Sequence, residues 1–456
     1  MKARVTTFLF LSSMVILMIA GCSGKNGSTG AQGVAGQNGA QGVAGPNGIV
    51  ISSLSATPNT LLPNRTATAI VSAYAPASVT LNYTWAASNG WKVAGYGTTA
   101  TITAPTAYGV TGSITVTVAG GSINVTGTTV VSTVSQLVTN TFSVGANPYG
   151  IAIDASGNVW VANNGDGTVS ELSPTGTTIG GPFPVGFNPY GIAIDASGNV
   201  WVANNGNNAV SELSPTGTTV GTYTVGFAAP QGVAIDASGD VWVANSGSNT
   251  VSELYPTSTT IGGPFPVGNF PWGIAIDASG NIWVANEGDS TVSELSPTGT
   301  TVETYTVGFA APQGIAIDAS GNVWVANSGS NTVSELYPTS TTIGGPFTVG
   351  TSPEGIAIDA SGNVWVVNYD GNDPTGNSPG TVTELRPDGA IVANYTVGFR
   401  PNGIAIDALG DVWVTNYYGG ELYGYTGGTV TEIVGVAQGP EYWPYTGPIF
   451  PGGGNF

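Results

Sequence analysis

Histidine is missing from this chain altogether, cysteine occurs once, and only 7% of the residues are charged. Without imidazole, the commonest general base and the commonest transition-metal ligand are both excluded. The single cysteine, Cys22, allows no intrachain disulfide. Basic residues number seven, and beyond residue 153 only Arg386 and Arg400 remain. All 26 acidic residues fall in that same stretch, and the formal charge is −19. No basic face exists to neutralise phosphates, so nucleic acid is excluded as a partner. Hydrophobic residues, at 41%, are plentiful enough for a large core.

Lys2 and Arg4 precede the apolar stretch "TFLFLSSMVILMIA", and residues 1–21 read as an export signal. The stretch ends "IAGCS", which resembles the bacterial lipobox. That resemblance implies cleavage before Cys22, lipid on that cysteine, and a mature chain tethered to a membrane by acyl chains. Ser23, a non-Asp residue, then implies the outer membrane or cell surface of a bacterial envelope. From Gly24 to Gly48 glycine recurs at every third position, a collagen-like Gly-X-Y run within residues 22–49. Its only proline is Pro46, so the run reads as a flexible spacer under a monomer, with a trimerising stalk as the alternative.

Residues 50–134 alternate apolar and polar side chains between turn-forming clusters and read as a small β domain. Trp85 in "NYTW" and the "NG" turn after it resemble bacterial Ig-like or PKD-like modules. With no cysteine pair, this core is expected to pack around Tyr83 and Trp85.

The remainder is a repeat array. "GIAIDASGNVWVAN", residues 150–163, returns six more times, with its aspartate at Asp154, Asp195, Asp236, Asp277, Asp318, Asp359 and Asp407. Each unit reads as four strands, A to D: "GIAID", "NVWVAN", "TVSEL" and "GTYTVGF" or its equivalents. Four strands in about 40–45 residues are the signature of a propeller blade. The fold class is therefore all-β: a seven-bladed β-propeller over 135–436, preceded by an Ig-like β-sandwich and a short collagen-like Gly-X-Y stalk. An aromatic Gly/Pro-rich tail (437–456) follows. The seventh unit lacks a clear strand D, and "VTNTFSVG" (138–145) is expected to supply it and close the ring.

The units resemble NHL-type propeller repeats and, more closely, the virginiamycin B lyase (streptogramin lyase) family. The matching residues are Pro148, Gly150, Ile151, Asp154, Gly157, Val159, Trp160, Val161 and Asn163. The resemblance implies the propeller scaffold. It also implies a lyase that opens a cyclic peptide with histidines and a Mg²⁺ site, and the absence of histidine breaks that part of the pattern. Streptogramin lyase activity is therefore not expected, and no catalytic residue is assigned.

Within the repeat, the aspartate is expected to shape the A-to-B turn, with Gly157 at positive φ, and the strand B tryptophans to fill the core. A second recurring carboxylate, Glu171 and its six equivalents, suggests an acidic lower face. Weak Ca²⁺ or Mg²⁺ binding there is the alternative to plain solubility, and no defined metal site is assigned. Residues 227–268 and 309–350 differ only at Val233/Ile315, Asp240/Asn322 and Pro266/Thr348, so likeness between units partly reflects copying.

Function is expected where the copies differ. The residue before the strand A glycine is Tyr149, Tyr190, Gln231, Trp272, Gln313, Glu354 or Asn402, on the top rim beside the channel. Long B-to-C insertions at 369–380 and 417–428 share that face. The candidate ligand-binding set is Tyr149, Tyr190, Trp272, Tyr369, Asp370, Asp373, Tyr417, Tyr418, Tyr423 and Tyr425, suited to stacking on sugar rings or peptide side chains. The tail adds Tyr442, Trp443 and Tyr445. The expected function is that of a cell-surface lipoprotein with a non-catalytic propeller that binds a glycan or peptide. A metal-dependent lyase- or lactonase-like enzyme without histidine, or a structural envelope protein, are the alternatives. Three or more Asp, Glu or Asn side chains converging at the channel mouth would mark the enzyme.

Overall fold

The structure, a computed structural model, describes residues 49–57, 66–75, 79–105, 110–120, 123–133, 138–338, 342–371, 378–419 and 427–436, with the backbone of 34–36, 39–41 and 60–61. Cys22, Asp373, Tyr423, Tyr425 and the C-terminal tail lie outside the described residues. The chain divides into two compact units, Met1–Ser135 and Gln136–Phe456. No helix among the described residues is long and apolar enough to cross a membrane.

In the first unit, the described part of the Gly-X-Y run is an antiparallel pair, Val34–Gly36 with Gly39–Gln41. The rest is two four-stranded sheets. One orders Val50–Thr57, Thr66–Tyr74, Thr99–Thr103 and Lys92–Tyr96; the other orders Thr60–Leu61, Ile123–Thr133, Thr111–Gly120 and Asn82–Ala87. The core differs from expectation. Trp91 is the buried indole; Trp85 is only partly buried against its cluster, and Tyr83 only partly buried against a second cluster that includes Ile51, Leu54 and Val118. Strand Asn82–Ala87 buries neither face fully, and Trp85 spends its N–H on the Gly97 carbonyl (3.2 Å), so it stays near the surface.

In the second unit, the described residues form seven antiparallel four-stranded sheets, each in the order A-B-C-D. The first runs Pro148–Ile153, Val159–Asn163, Thr168–Leu172 and Thr178–Pro184. The last takes its fourth strand from the other end of the sequence, because Thr139–Ser143 pairs with Thr429–Ile433. Strands A of successive sheets contact one another in a closed cycle, with Phe399–Ile406 returning to Pro148–Ile153. This is a β-propeller, and all of its edges except the outermost are covered.

The "AID" aspartate is scaffold. Asp154 Oδ1 accepts from the backbone N–H of Ser156 (2.8 Å) and Asn158 (2.9 Å), while Oδ2 accepts from Asn158 Nδ2 (3.0 Å) and Trp160 Nε1 (3.1 Å). The bond to the tryptophan recurs in all seven sheets at 3.1–3.2 Å. Gly157, at φ +83°, completes the turn. Every strand B tryptophan is fully buried. Each stacks on one strand D aromatic at 5.5–5.7 Å, and Phe142 from the displaced strand serves Trp413. Hydrophobic clusters link strand B of one sheet to strands A and B of the next, from the seventh sheet through the first to the sixth, and strand B of the sixth sheet lies against strand A of the seventh.

Candidate functional site

Strand A carries a bulge in every sheet. Pairing with strand B holds at the proline, for example Pro148 with Asn163, and resumes three residues beyond it at Ile151 with Val161, while strand B advances by only two. The same slip occurs in the other six sheets. A bulge leaves residues out of the ladder and redirects their side chains, here the residue before the strand A glycine. The glycine is required by close approach. A Cβ on Gly150 would lie 2.2 Å from the Tyr190 carbonyl oxygen, and one on Gly314 would lie 2.0 Å from that of Glu354. Just upstream, the residue before the strand A proline sits in the left-handed region in all seven sheets, at φ +44° to +56° (Asn147, Asn188, Ala229, Phe270, Ala311, Ser352 and Arg400). Bulge, glycine and left-handed corner together place six of the seven variable residues, all but Gln313, around the cavity at the channel mouth.

Tyr149, Tyr190 and Trp272 come together there. Their ring centroids are 4.5 Å (Tyr149–Tyr190), 5.9 Å (Tyr190–Trp272) and 6.3 Å (Tyr149–Trp272) apart. They are half-buried against each other rather than splayed on an open rim. The cavity left between them and Gln231, Glu354 and Asn402 is about 30 Å³. Glu354 keeps part of its surface open to that cavity. Burial pushes its carboxyl up to about 8, with Asp370 and Glu287 adding to the rise and a long hydrogen bond from Tyr149 Oη (3.4 Å) opposing it. The Tyr149 hydroxyl is raised well above the usual tyrosine range, mainly by burial and then by Glu354.

Tyr369 and Asp370 lie in strand B of the sixth sheet, Val364–Gly371, and Tyr417 and Tyr418 in strand B of the seventh, Val412–Tyr418. They are expected in loops. These two strands run on because their partners start early, pairing Thr351 with Gly371 and Phe399 with Tyr418. Arg400 lies between them, its guanidinium 5.4 Å from the Tyr369 ring and 5.1 Å from the Tyr418 ring. Ser352 donates to the Asp370 carboxylate (3.0 Å), and Tyr417 packs edge-on to Tyr418 at 5.0 Å. Burial raises the Tyr369 hydroxyl to about 12 against the opposing pull of Arg400.

Sequence reading left Arg400 and Glu354 out of the candidate set. Arg400 is one of two cations after residue 153, and that scarcity was its signal. Glu354 is the sole acid in its ring of seven.

On the side of the A-to-B turns, the "SEL" glutamates differ from the expected acidic face by being buried. Where strand D carries tyrosine, its hydroxyl donates to the glutamate, as Tyr223 does to Glu212 (2.9 Å). Where strand D carries phenylalanine in the third and fifth sheets, Tyr255 and Tyr337 at the end of strand C take over. Asp236, Asp240 and Glu253 bring carboxylate oxygens within 4.8 Å of one another. In the copied sheet Asn322 replaces Asp240 and donates to both Asp318 (3.0 Å) and Glu335 (3.1 Å). Three ligands fall well short of the roughly six to eight oxygens that Ca²⁺ takes.

Fold and site define a β-propeller whose channel mouth is an aromatic and amide ring around one carboxyl group, with no imidazole in reach. The sequence model of the virginiamycin B lyase family matches residues 138–422, and the chain belongs to that family. No curated protein sequence matches it. Among solved structures, a streptogramin B lyase is similar at 20% identity and TM-score 0.55, over 65% of this chain and 97% of that one. A catalytically inactive virginiamycin B lyase from Staphylococcus aureus, with quinupristin, is similar at 18% identity and TM-score 0.56, over 66% and 99%. Hydrazine synthase of Kuenenia stuttgartiensis is similar at 16% and 0.53, over 64% and 97%. At these identities the likeness is one of fold.

Proposed function

We propose that this chain is an envelope lipoprotein in which a lyase-family propeller of seven blades serves as a non-catalytic binding module. In this reading Cys22 carries the lipid, the Gly-X-Y run is a spacer, the first unit is an Ig-like spacer, and the rim of the propeller meets a glycan or peptide. The observation that carries it is the channel mouth itself: Tyr149, Tyr190 and Trp272 packed together beside Tyr369, Arg400 and Tyr418, in a chain without histidine. Aromatic faces beside amides and a carboxyl suit stacking and hydrogen bonding more than bond cleavage. Of the Asp, Glu and Asn side chains that an enzyme would need to converge, only Glu354 and Asn402 among the described residues line the cavity.

The test is binding of purified residues 136–456 to glycan, peptidoglycan-fragment and peptide arrays, with and without Ca²⁺. Specific ligands are expected, with affinity reduced at least tenfold by Trp272→Ala or Tyr190→Ala. No ligand on any array would overturn the binding reading, and opening of a cyclic streptogramin peptide would restore the enzyme.

A further inference from the structure

The channel mouth holds hydrogen-bond acceptors that have no donor. Gln231 and Asn402 line the cavity, are 6% and 2% exposed, and each leaves its amide oxygen buried without a partner. Gln313, at the same bulge position of the fifth sheet, also leaves its oxygen unpaired at 8% exposure. The orientation of each amide is fixed from its other end. Gln231 Nε2 donates to Ser246 Oγ (3.4 Å), whose own proton goes to the Ala229 carbonyl (2.8 Å). Gln313 Nε2 donates to the Glu287 carboxylate (3.2 Å), and Asn402 Nδ2 to the Arg400 carbonyl (3.3 Å). Each nitrogen faces an acceptor, so the atoms left over are oxygens. A buried acceptor without a donor costs about 1–3 kcal/mol. Three of them in one ring mark a place where donors belong.

The rest of the wall specifies which donor. Glu354 is the one charged residue lining the cavity, and a single carboxylate balances a single positive charge. Tyr149, Tyr190 and Trp272 supply the aromatic faces that attract cations. The free volume, about 30 Å³, exceeds the roughly 10–15 Å³ that one enclosed water needs. A quaternary ammonium head has no N–H to give the unpaired oxygens. Divalent cations need more carboxylate charge and more oxygens than this wall offers. A primary ammonium group fits the charge and the volume. Its three N–H donors match the Gln231 and Asn402 oxygens and the Glu354 carboxylate. The acidic body, at −19, concentrates cations around it.

We propose that the channel mouth of the propeller binds a primary alkylammonium group, the tip of an amine-bearing ligand whose remainder lies across the rim. The proposal names the ligand chemistry of the rim and rests on the binding reading above. The proton on Glu354 is the natural competitor, since burial holds that carboxyl near 8 in the empty site. Cation entry releases it, and affinity rises with pH from 6 to 8. Tyr149, Asp370 and Glu287 act on Glu354, which also interacts with the Tyr190 and Tyr369 hydroxyls, and none of these five groups carries a positive charge.

The experiment titrates the full chain with methylammonium chloride in sodium phosphate at constant ionic strength, read by calorimetry and by tryptophan fluorescence. Parallel arms use potassium and tetramethylammonium. Saturable methylammonium binding is expected, at least tenfold tighter than either control and weakened at least tenfold in Glu354→Gln. Glutamine mimics the protonated carboxyl, so that variant keeps the fold, which near-UV circular dichroism checks. Gln231→Leu, which removes one unpaired acceptor, is expected to weaken binding as well. Absence of saturation, equal binding of potassium or tetramethylammonium, or an unaffected Glu354→Gln variant would overturn the proposal. Array ligands without methylammonium binding would overturn it while leaving the binding reading intact. Methylammonium binding without array ligands would keep the pocket and remove the glycan or peptide platform.

Discussion

Two oxygens of Asp195 receive four donors: the backbone N–H groups of Ser197 (2.9 Å) and Asn199 (2.8 Å), the Asn199 amide (3.0 Å) and Trp201 Nε1 (3.1 Å). A carboxylate saturated in this way has no lone pair left for a metal, which is why its sevenfold recurrence is architecture. Asp195→Ala leaves a fully buried indole N–H and a turn amide without acceptors, and the expected cost is about 2–4 kcal/mol in urea-induced unfolding. Asp195→Asn keeps an acceptor but sets an amide N–H₂ against at least one donor, so it is expected to fall between wild type and alanine. A loss below about 0.5 kcal/mol for alanine would show that the turn, not the indole bond, carries the aspartate. The turn half of this role is legible in "DASGN", because an Asx-turn needs only local residues. The indole half is not, since it depends on the A-to-B hairpin bringing a residue six positions away back over the carboxylate.

The "P-x-G" at the start of strand A is the element on which the site depends. The proline holds the last pair before the bulge, the bulge turns the variable residue inward, and the glycine lets the next sheet's backbone approach. Gly314→Ala tests this element: its Cβ would sit 2.0 Å from the Glu354 carbonyl oxygen, with no flexible side chain to yield. The fifth and sixth strands A must separate, at a cost of about 1–3 kcal/mol or more. Thermal unfolding should come several degrees earlier, and the fluorescence of Trp272 at the mouth should shift. An unchanged melting temperature would contradict the tight ring. Much of this level is readable from sequence, because the four strands, their order and the displaced strand at 138–145 follow from periodicity and from one missing segment. The ring of seven residues before the glycine is also readable, since variation stands out against copies. The surroundings of Arg400 are not, although its rarity as a cation is, because its partners Tyr369 and Tyr418 belong to two strands whose lengthening depends on how strand A starts. Neither is the Asp236–Asp240–Glu253 cluster, since a single Asp for Asn exchange takes on meaning only once strand C lies beside the turn.

At the scale of the whole molecule, the surplus of carboxylates sets how stability responds to pH. Burial raises Glu171, Glu212, Glu253, Glu294, Glu335 and Glu432 above their ordinary range, raises Asp240 and Asp411 as well, and carries Glu354 up to about 8. A carboxyl whose value is higher in the folded chain binds more protons there than in the unfolded chain. Its contribution is therefore present at low pH and is lost as pH rises from the unfolded value through the folded one. For most of these groups that window opens near the ordinary carboxylate range, and for Glu354 it extends to about 8. Asp388 has the opposite sign, held down by the Ala390 backbone N–H and by Arg386, but it is fully exposed and adds little. Self-repulsion at −19 grows over the same interval, because deprotonation adds negative charge that two arginines in the propeller cannot offset. The melting temperature is expected to peak near pH 5 and to fall by about 5 °C or more by pH 8. Added salt should recover part of that loss at pH 8 and little at pH 5, since screening acts on the exposed share of the repulsion. Glu354→Gln removes the latest-titrating group, and its curve should flatten between pH 6 and 8 while keeping the earlier fall. Scanning calorimetry of wild type and variant across pH 4.5–8.5 reads all three effects. A melting temperature that rises from pH 5 to pH 8 would mean that the buried carboxylates are ionised and paired, and would remove the proton on Glu354 from which the expected pH dependence of ammonium binding comes.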